Sequence, residues 1–228
     1  PGFKGGDRTN IELPSVQRNC LKALKQAGKK IIFVNCSGSA VALTPETESC
    51  DAILQAWYAG ESGGQAVADV LFGDFNPCGK LPVTFYKNSD NLGDFENYSM
   101  KGRTYRYTED YLFPFGYGLS YTKFDIGNAT LNNSDININD TIIINVPVKN
   151  SGKREGTEIL QVYIRKINDI DGPIKTLRNF RRVNLMPGKT ENVKIKLPAS
   201  SFEFYDWSNR KMMVTPGEYE IMYGNSSS

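Results

Sequence analysis

Thr141-Ile142-Ile143-Ile144-Asn145-Val146-Pro147-Val148-Lys149 sets a period of two: Ile142, Ile144, Val146 and Val148 alternate with Thr141, Ile143, Asn145, Pro147 and Lys149. Successive side chains on a strand point to opposite faces, so the pattern predicts a half-buried strand. The alternation recurs at Leu160, Val162 and Ile164, at Val193, Ile195 and Leu197, and at Tyr219, Ile221 and Tyr223. Asn150-Ser151-Gly152, Asp171-Gly172-Pro173, Pro187-Gly188 and Pro216-Gly217 separate these runs as turns.

Short strands at such intervals predict an all-β sandwich over residues 125–228. No Cys occurs in this half, so no inter-sheet disulfide is available, and a fibronectin-like sandwich is favoured over an antibody-type one. In this reading Leu160, Val162 and Ile164 face the core, Gln161 and Arg165 face solvent, and the basic run Arg178, Arg181, Arg182 is a solvated strand face.

Upstream the period is helical. Val16, Cys20, Leu21, Leu24 and Ala27 recur on one face between Pro14 and Ala27, with Pro14 suited to the first turn and Gly28 to the position past the end. Ile31-Ile32-Phe33-Val34 reads as a strand buried on both faces of a parallel sheet, and Ala52 to Tyr58 as a second strand. Between them Ser37 to Ser49 supplies a right-handed crossover with a helical turn at Pro45-Glu46-Thr47-Glu48. A helix then runs from Gly63-Gly64 to Gly73, and Leu81 to Phe85 reads as a short strand. Residues 1–85 are therefore α/β, with too few strands for a free-standing sheet, which predicts further strands upstream. Residues 86–124 read as a linker whose many Tyr and Phe side chains predict packing along both domains.

Composition narrows the chemistry. The 228 residues carry a net charge of +2 and no histidine. Ser-His-Asp triads and H-E-x-x-H zinc sites are thereby excluded from this chain, and carboxylates are the natural acid–base candidates. Lys and Arg are interleaved with acids, so no nucleic acid is implied, and no long apolar run reaches across a membrane. Cys20, Cys36, Cys50 and Cys78 lack C-x-x-C spacing and read as buried free thiols, with no metal site and no cofactor. The sequons at Asn35, Asn97, Asn128, Asn132, Asn139 and Asn225 read as chance matches in an Asn-rich chain.

Three motif groups remain. They are Gly5-Gly6-Asp7-Arg8 with Leu13-Pro14; Trp57-Tyr58-Ala59-Gly60-Glu61-Ser62-Gly63-Gly64 with Phe72-Gly73-Asp74-Phe75-Asn76-Pro77-Cys78-Gly79-Lys80-Leu81-Pro82; and Phe113-Pro114-Phe115-Gly116-Tyr117-Gly118-Leu119-Ser120-Tyr121-Thr122. In this order they resemble the C-terminal region of glycoside hydrolase family three. Residues 1–85 resemble the rear part of that family's α/β sandwich domain, and residues 125–228 its fibronectin type III-like domain. Gly2 to Thr9 is most similar to the β-xylosidase branch.

The resemblance implies part of a secreted or periplasmic, exo-acting retaining β-glycosidase that releases terminal xylose, with β-glucosidase and arabinofuranosidase as alternatives. It further implies an oligosaccharide substrate and an N-terminal barrel of the same protein as partners. The family's nucleophilic Asp lies on that barrel and its acid/base Glu shortly before the Asp-Arg pair, so no catalytic residue is assigned here, and the fragment alone is expected to be inactive.

Within the chain, Tyr105, Arg106 and Tyr107 are the expected sugar contacts, since exposed loop aromatics beside an Arg need a reason. Asp7-Arg8 reads as a loop clamp, Glu61 as a helix cap, and Trp57 with Tyr58 as core or sugar platform. A competing reading is a non-catalytic carbohydrate- or partner-binding module acting through Tyr163, Tyr205 and Trp207.

Overall fold

A computed structural model describes residues 10–94 and 96–228. The Asp7-Arg8 pair lies outside the described residues. The chain divides into two units. The first runs to Asp74 and takes in Val83–Thr104 and Thr108–Pro114; the second comprises Phe75–Pro82, Tyr105–Tyr107 and Phe115–Ser228.

In the first unit α1 (Ser15–Gln26) begins at Pro14, whose carbonyl accepts from the Gln17 and Arg18 amides at 3.0 and 3.1 Å. It ends at Gly28, whose φ of 69° lets the Lys29 and Gly28 amides turn back onto Leu24 and Lys25. This is the Schellman geometry that favours glycine. β1 (Ile32–Asn35) and β2 (Ala52–Gln55) pair in parallel, Asn35 opposite Gln55, with α2 (Thr44–Ser49) in the crossover and α3 (Gly63–Phe72) following.

Four expectations change here: β1 is not buried on both faces, since Ile32 is 56% exposed. β2 stops at Gln55 and does not reach Tyr58, because Trp57 adopts φ 56° and leaves the extended region. Leu81 to Phe85 forms no strand; Phe85 makes a single antiparallel bridge with Phe113. The helix buries no residue, Val16 is 74% exposed, and Cys20 and Cys36 are exposed free thiols instead of core.

The second unit is the sandwich. β5 (Thr141–Asn150) pairs along its length with β8 (Thr190–Pro198), and on its other edge with β3 (Phe124–Ile126) and β4 (Thr130–Leu131). The opposing sheet has the order β11 (Tyr219–Gly224), β6 (Gly156–Lys166), β7 (Thr176–Leu185). Ile142, Ile144, Val146 and Val148 stand across from Leu197, Ile195, Val193 and Glu191, and the apolar ones join Leu160, Val162, Ile164, Val183 and Leu185 in one core. A short hairpin, β9 (Phe204–Asp206) with β10 (Lys211–Met213), completes the unit.

Arg165 is exposed as expected, but Gln161 is 3% exposed and Tyr163 2% exposed. β6 is thus covered on both faces. Gln161 therefore does not face solvent, and Tyr163 is no surface platform.

Candidate functional site

In the first unit, the carboxyl ends of the parallel strands carry a polar knot. Asn35, 5% exposed, donates from Nδ2 to Gln55 Oε1 at 2.6 Å and to Ser37 Oγ at 3.1 Å, while Ser37 Oγ donates to the Ser39 carbonyl at 2.9 Å. The knot fixes the loop that faces outward beyond the strand ends, where parallel α/β sheets bind ligands. Tyr58 is 80% exposed there, and its ring lies against Gly38, where a Cβ would stand 2.5 Å from Cε2. Trp57 turns the other way and meets Phe85 edge-on, ring centroids 6.1 Å apart. Glu61 is exposed, and Ser62 occupies the N-cap of α3 without a side-chain capping bond.

The same unit holds a carboxylate cluster that the sequence reading missed. Arg18 donates from Nε to Glu46 Oε1 at 2.8 Å and from Nη2 to Glu12 Oε2 at 2.9 Å; the Glu46 side chain is 1% exposed. Hydrogen bonding to Glu46 raises the Arg18 pKa. Two carboxylates chelating one guanidinium tie α1 to α2. Both carboxylates are bonded to one guanidinium, the arrangement of a clamp between elements.

In the second unit, the turn Tyr105–Tyr107 is held against β7 and the segment before it. Ile174 N–H donates to the Arg106 carbonyl at 2.6 Å, and Leu177 N–H donates to Tyr105 Oη at 3.2 Å. Tyr105 is 9% exposed, stacked on Phe115 at 4.4 Å and edge-on to Tyr163 at 5.8 Å. Its ring is therefore a packing element and not an exposed loop aromatic. Arg106 is exposed and Tyr107 half-buried. Burial first, then the Arg106 charge, lowers the Arg178 pKa, and the Arg178 guanidinium lies over the Phe204 ring at 4.7 Å.

Behind this turn sits a buried polar network. Tyr163 donates to Gln161 Oε1 at 2.5 Å, and Gln161 Nε2 donates to the carbonyls of Gly116 at 3.1 Å and Asn225 at 2.7 Å. Desolvation pushes the Tyr163 phenol well above its ordinary pKa, so it stays a donor. Lys80 pairs with Glu158 at 2.7 Å and also donates to the Gly118 carbonyl at 3.0 Å. Lys80 and the glycines of the motifs are an early sign of this network; Gln161 is expected from the alternation to face solvent and Asn225 stands in a sequon that reads as chance, so neither points to it.

Among the described residues no helix is long and apolar enough to cross a membrane. The description "Glycosyl hydrolase family 3 C-terminal domain" matches residues 3–121, and "Fibronectin type III-like domain" matches residues 158–227. A xylan 1,4-beta-xylosidase of Xylanibacter ruminicola is 60% identical over 99% of the chain and 26% of its own length. A periplasmic beta-glucosidase of Salmonella typhimurium is 35% identical over 98% of the chain and 31% of its own length. The solved structure of a β-glucosidase from Erythrobacter marinus superposes with a TM-score of 0.85 at 38% identity, over 99% of this chain and 31% of that one. The chain thus spans between a quarter and a third of the length of these relatives.

Proposed function

The chain belongs to glycosyl hydrolase family 3, and we propose that it supplies the C-terminal portion of an exo-acting, retaining β-glycosidase that releases terminal β-linked xylose from oligosaccharides. The observation that carries the sugar is the 60% identity to a xylan 1,4-beta-xylosidase, against 35% to the periplasmic beta-glucosidase. That second relative supports an enzyme working outside the cytoplasm, in the periplasm or beyond the cell.

A retaining glycosidase holds its nucleophile and acid/base carboxyls about 5–5.5 Å apart. Neither role falls to a residue of this chain. In this proposal both carboxyls come from an N-terminal region of the same protein, and this chain contributes scaffold and part of the substrate surface. Arg106 and Tyr107 contact the sugar, and Tyr105 positions them from behind through its stack on Phe115. A guanidinium presents several fixed donors to sugar hydroxyls, which suits orientation of a ring more than chemistry on it.

Steady-state kinetics of the chain joined to its N-terminal region, on aryl β-xyloside and aryl β-glucoside, test this. A higher kcat/KM on the xyloside is expected, with no turnover by the 228-residue chain alone. A tenfold preference for the glucoside overturns the sugar, and turnover by the chain alone overturns the division of roles.

A further inference from the structure

The β9–β10 hairpin presents aromatic surface that the catalytic reading leaves unused. Its register pairs Phe204 with Met213 and Tyr205 with Met212. Paired residues share a face and neighbours along a strand alternate. Phe204 is 5% exposed, packed near Tyr219 and under Arg178, so Tyr205 and Met212 point away from the core, 44% and 51% exposed. Trp207 follows in the turn, 77% exposed and perpendicular to Tyr205, with centroids 4.8 Å apart at 78°.

The turn is closed from within. Asp206 Oδ1 accepts from the Asn209 N–H at 2.7 Å and from its Nδ2 at 3.0 Å. Trp207 is therefore mounted on a fixed corner and braced by a second ring, which lowers the entropy lost when a ligand settles on it. Single exposed apolar residues are ordinary; here a Trp, a Tyr and a Met gather at one hairpin end.

The size of the patch selects its occupant. A stable protein interface buries about 800 Å² on each partner, far more than three side chains at a hairpin tip provide. Ser208, Asn209, Arg210 and Lys211 are exposed at the same turn and supply hydrogen-bonding groups around the rings. A pyranose fits both features: its C–H face covers an indole, and its equatorial hydroxyls reach polar groups at the rim. A xylose ring has no hydroxymethyl arm, so both of its faces lie flat against an aromatic side chain.

The geometry points to a non-catalytic carbohydrate-binding site on the sandwich, in which Trp207, braced by Tyr205, stacks on a xylosyl ring of a β-1,4-linked xylan while the turn residues bond its hydroxyls. The choice of xylan rests on the β-xylosidase reading above; the aromatic corner does not.

Affinity electrophoresis of the 228-residue chain, in native gels with and without soluble β-1,4-xylan, tests the site. Xylan is expected to retard the chain and dextran is not. Trp207→Ala should weaken the apparent affinity at least tenfold and Trp207→Phe less, with both variants keeping the wild-type melting temperature because the side chain is exposed. No retardation by xylan, equal retardation of wild type and Trp207→Ala, or equal retardation by dextran overturns the proposal. So does a sedimentation shift between wild type and Trp207→Ala without xylan binding, which would mean that a second copy covers the patch. Aryl β-xyloside hydrolysis by the wild-type enzyme carrying its N-terminal region is measured in parallel. Inactivity there with Trp207-dependent retardation sinks the proposed catalytic function and leaves the site standing; activity without retardation does the reverse.

Discussion

Lys80 and Glu158 form an ion pair at 2.7 Å with side chains only 11% and 6% exposed. Glu158 also accepts from the Ile159 amide at 2.8 Å and from Asn225 Nδ2 at 3.1 Å. The pair ties the motif around Lys80 to β6 and to the C-terminal tail. Removing one partner strands a buried charge, which costs about 3–5 kcal/mol. Glu158→Ala should therefore lose stability on that scale in urea unfolding, and Lys80→Met with Glu158→Leu should lose less. A single variant within 1 kcal/mol of wild type would count against the pair as a buried clamp.

Gln161 and Gly116 are coupled by sterics. Gly116 has φ 77°, and a Cβ there would stand 2.0 Å from Gln161 Oε1. Gln161→Ala leaves two carbonyls and the Tyr163 hydroxyl short of partners and should cost about 1–3 kcal/mol. Gly116→Ala adds backbone strain of about 1–3 kcal/mol to the clash. In the Gln161→Ala background the clash is gone, so Gly116→Ala should cost less there than in wild type. Additive losses in a double-mutant cycle would refute the coupling.

Asp206 gives a pH signature. Hydrogen bonds from the Asn209 amide, foremost, hold its pKa below the ordinary carboxylate value. A depressed folded pKa means that the contribution is complete above the unfolded value of about 3.9 and lost as pH falls through the folded one. The Asn209 amide resonance should therefore titrate with a midpoint below that of a free Asp. A midpoint at or above it would show that the turn is not closed by the carboxylate.

Arg106 separates binding from chemistry. If it orients the sugar equally in ground and transition states, Arg106→Ala in the full enzyme should raise KM about tenfold with kcat nearly unchanged. A fall in kcat at constant KM would place it at the reacting bond instead.

Much of the fold was legible from local pattern. The alternation at Ile142 to Val148 became β5, and Pro14 and Gly28 mark the ends of α1 because proline lacks an amide and glycine tolerates positive φ. Those properties belong to single residues and their neighbours, and sequence by itself determines them. The second face of β6 belongs to no local pattern: Gln161 is buried by Gly116 and Asn225, 45 and 64 residues away. Tyr105, written in a polar loop, is buried by Phe115 and Tyr163. Cys20 and Val16, written on an apolar helix face, are exposed in this chain. Whether a side chain meets water depends on what distant segments pack against it, and only the tertiary structure decides that.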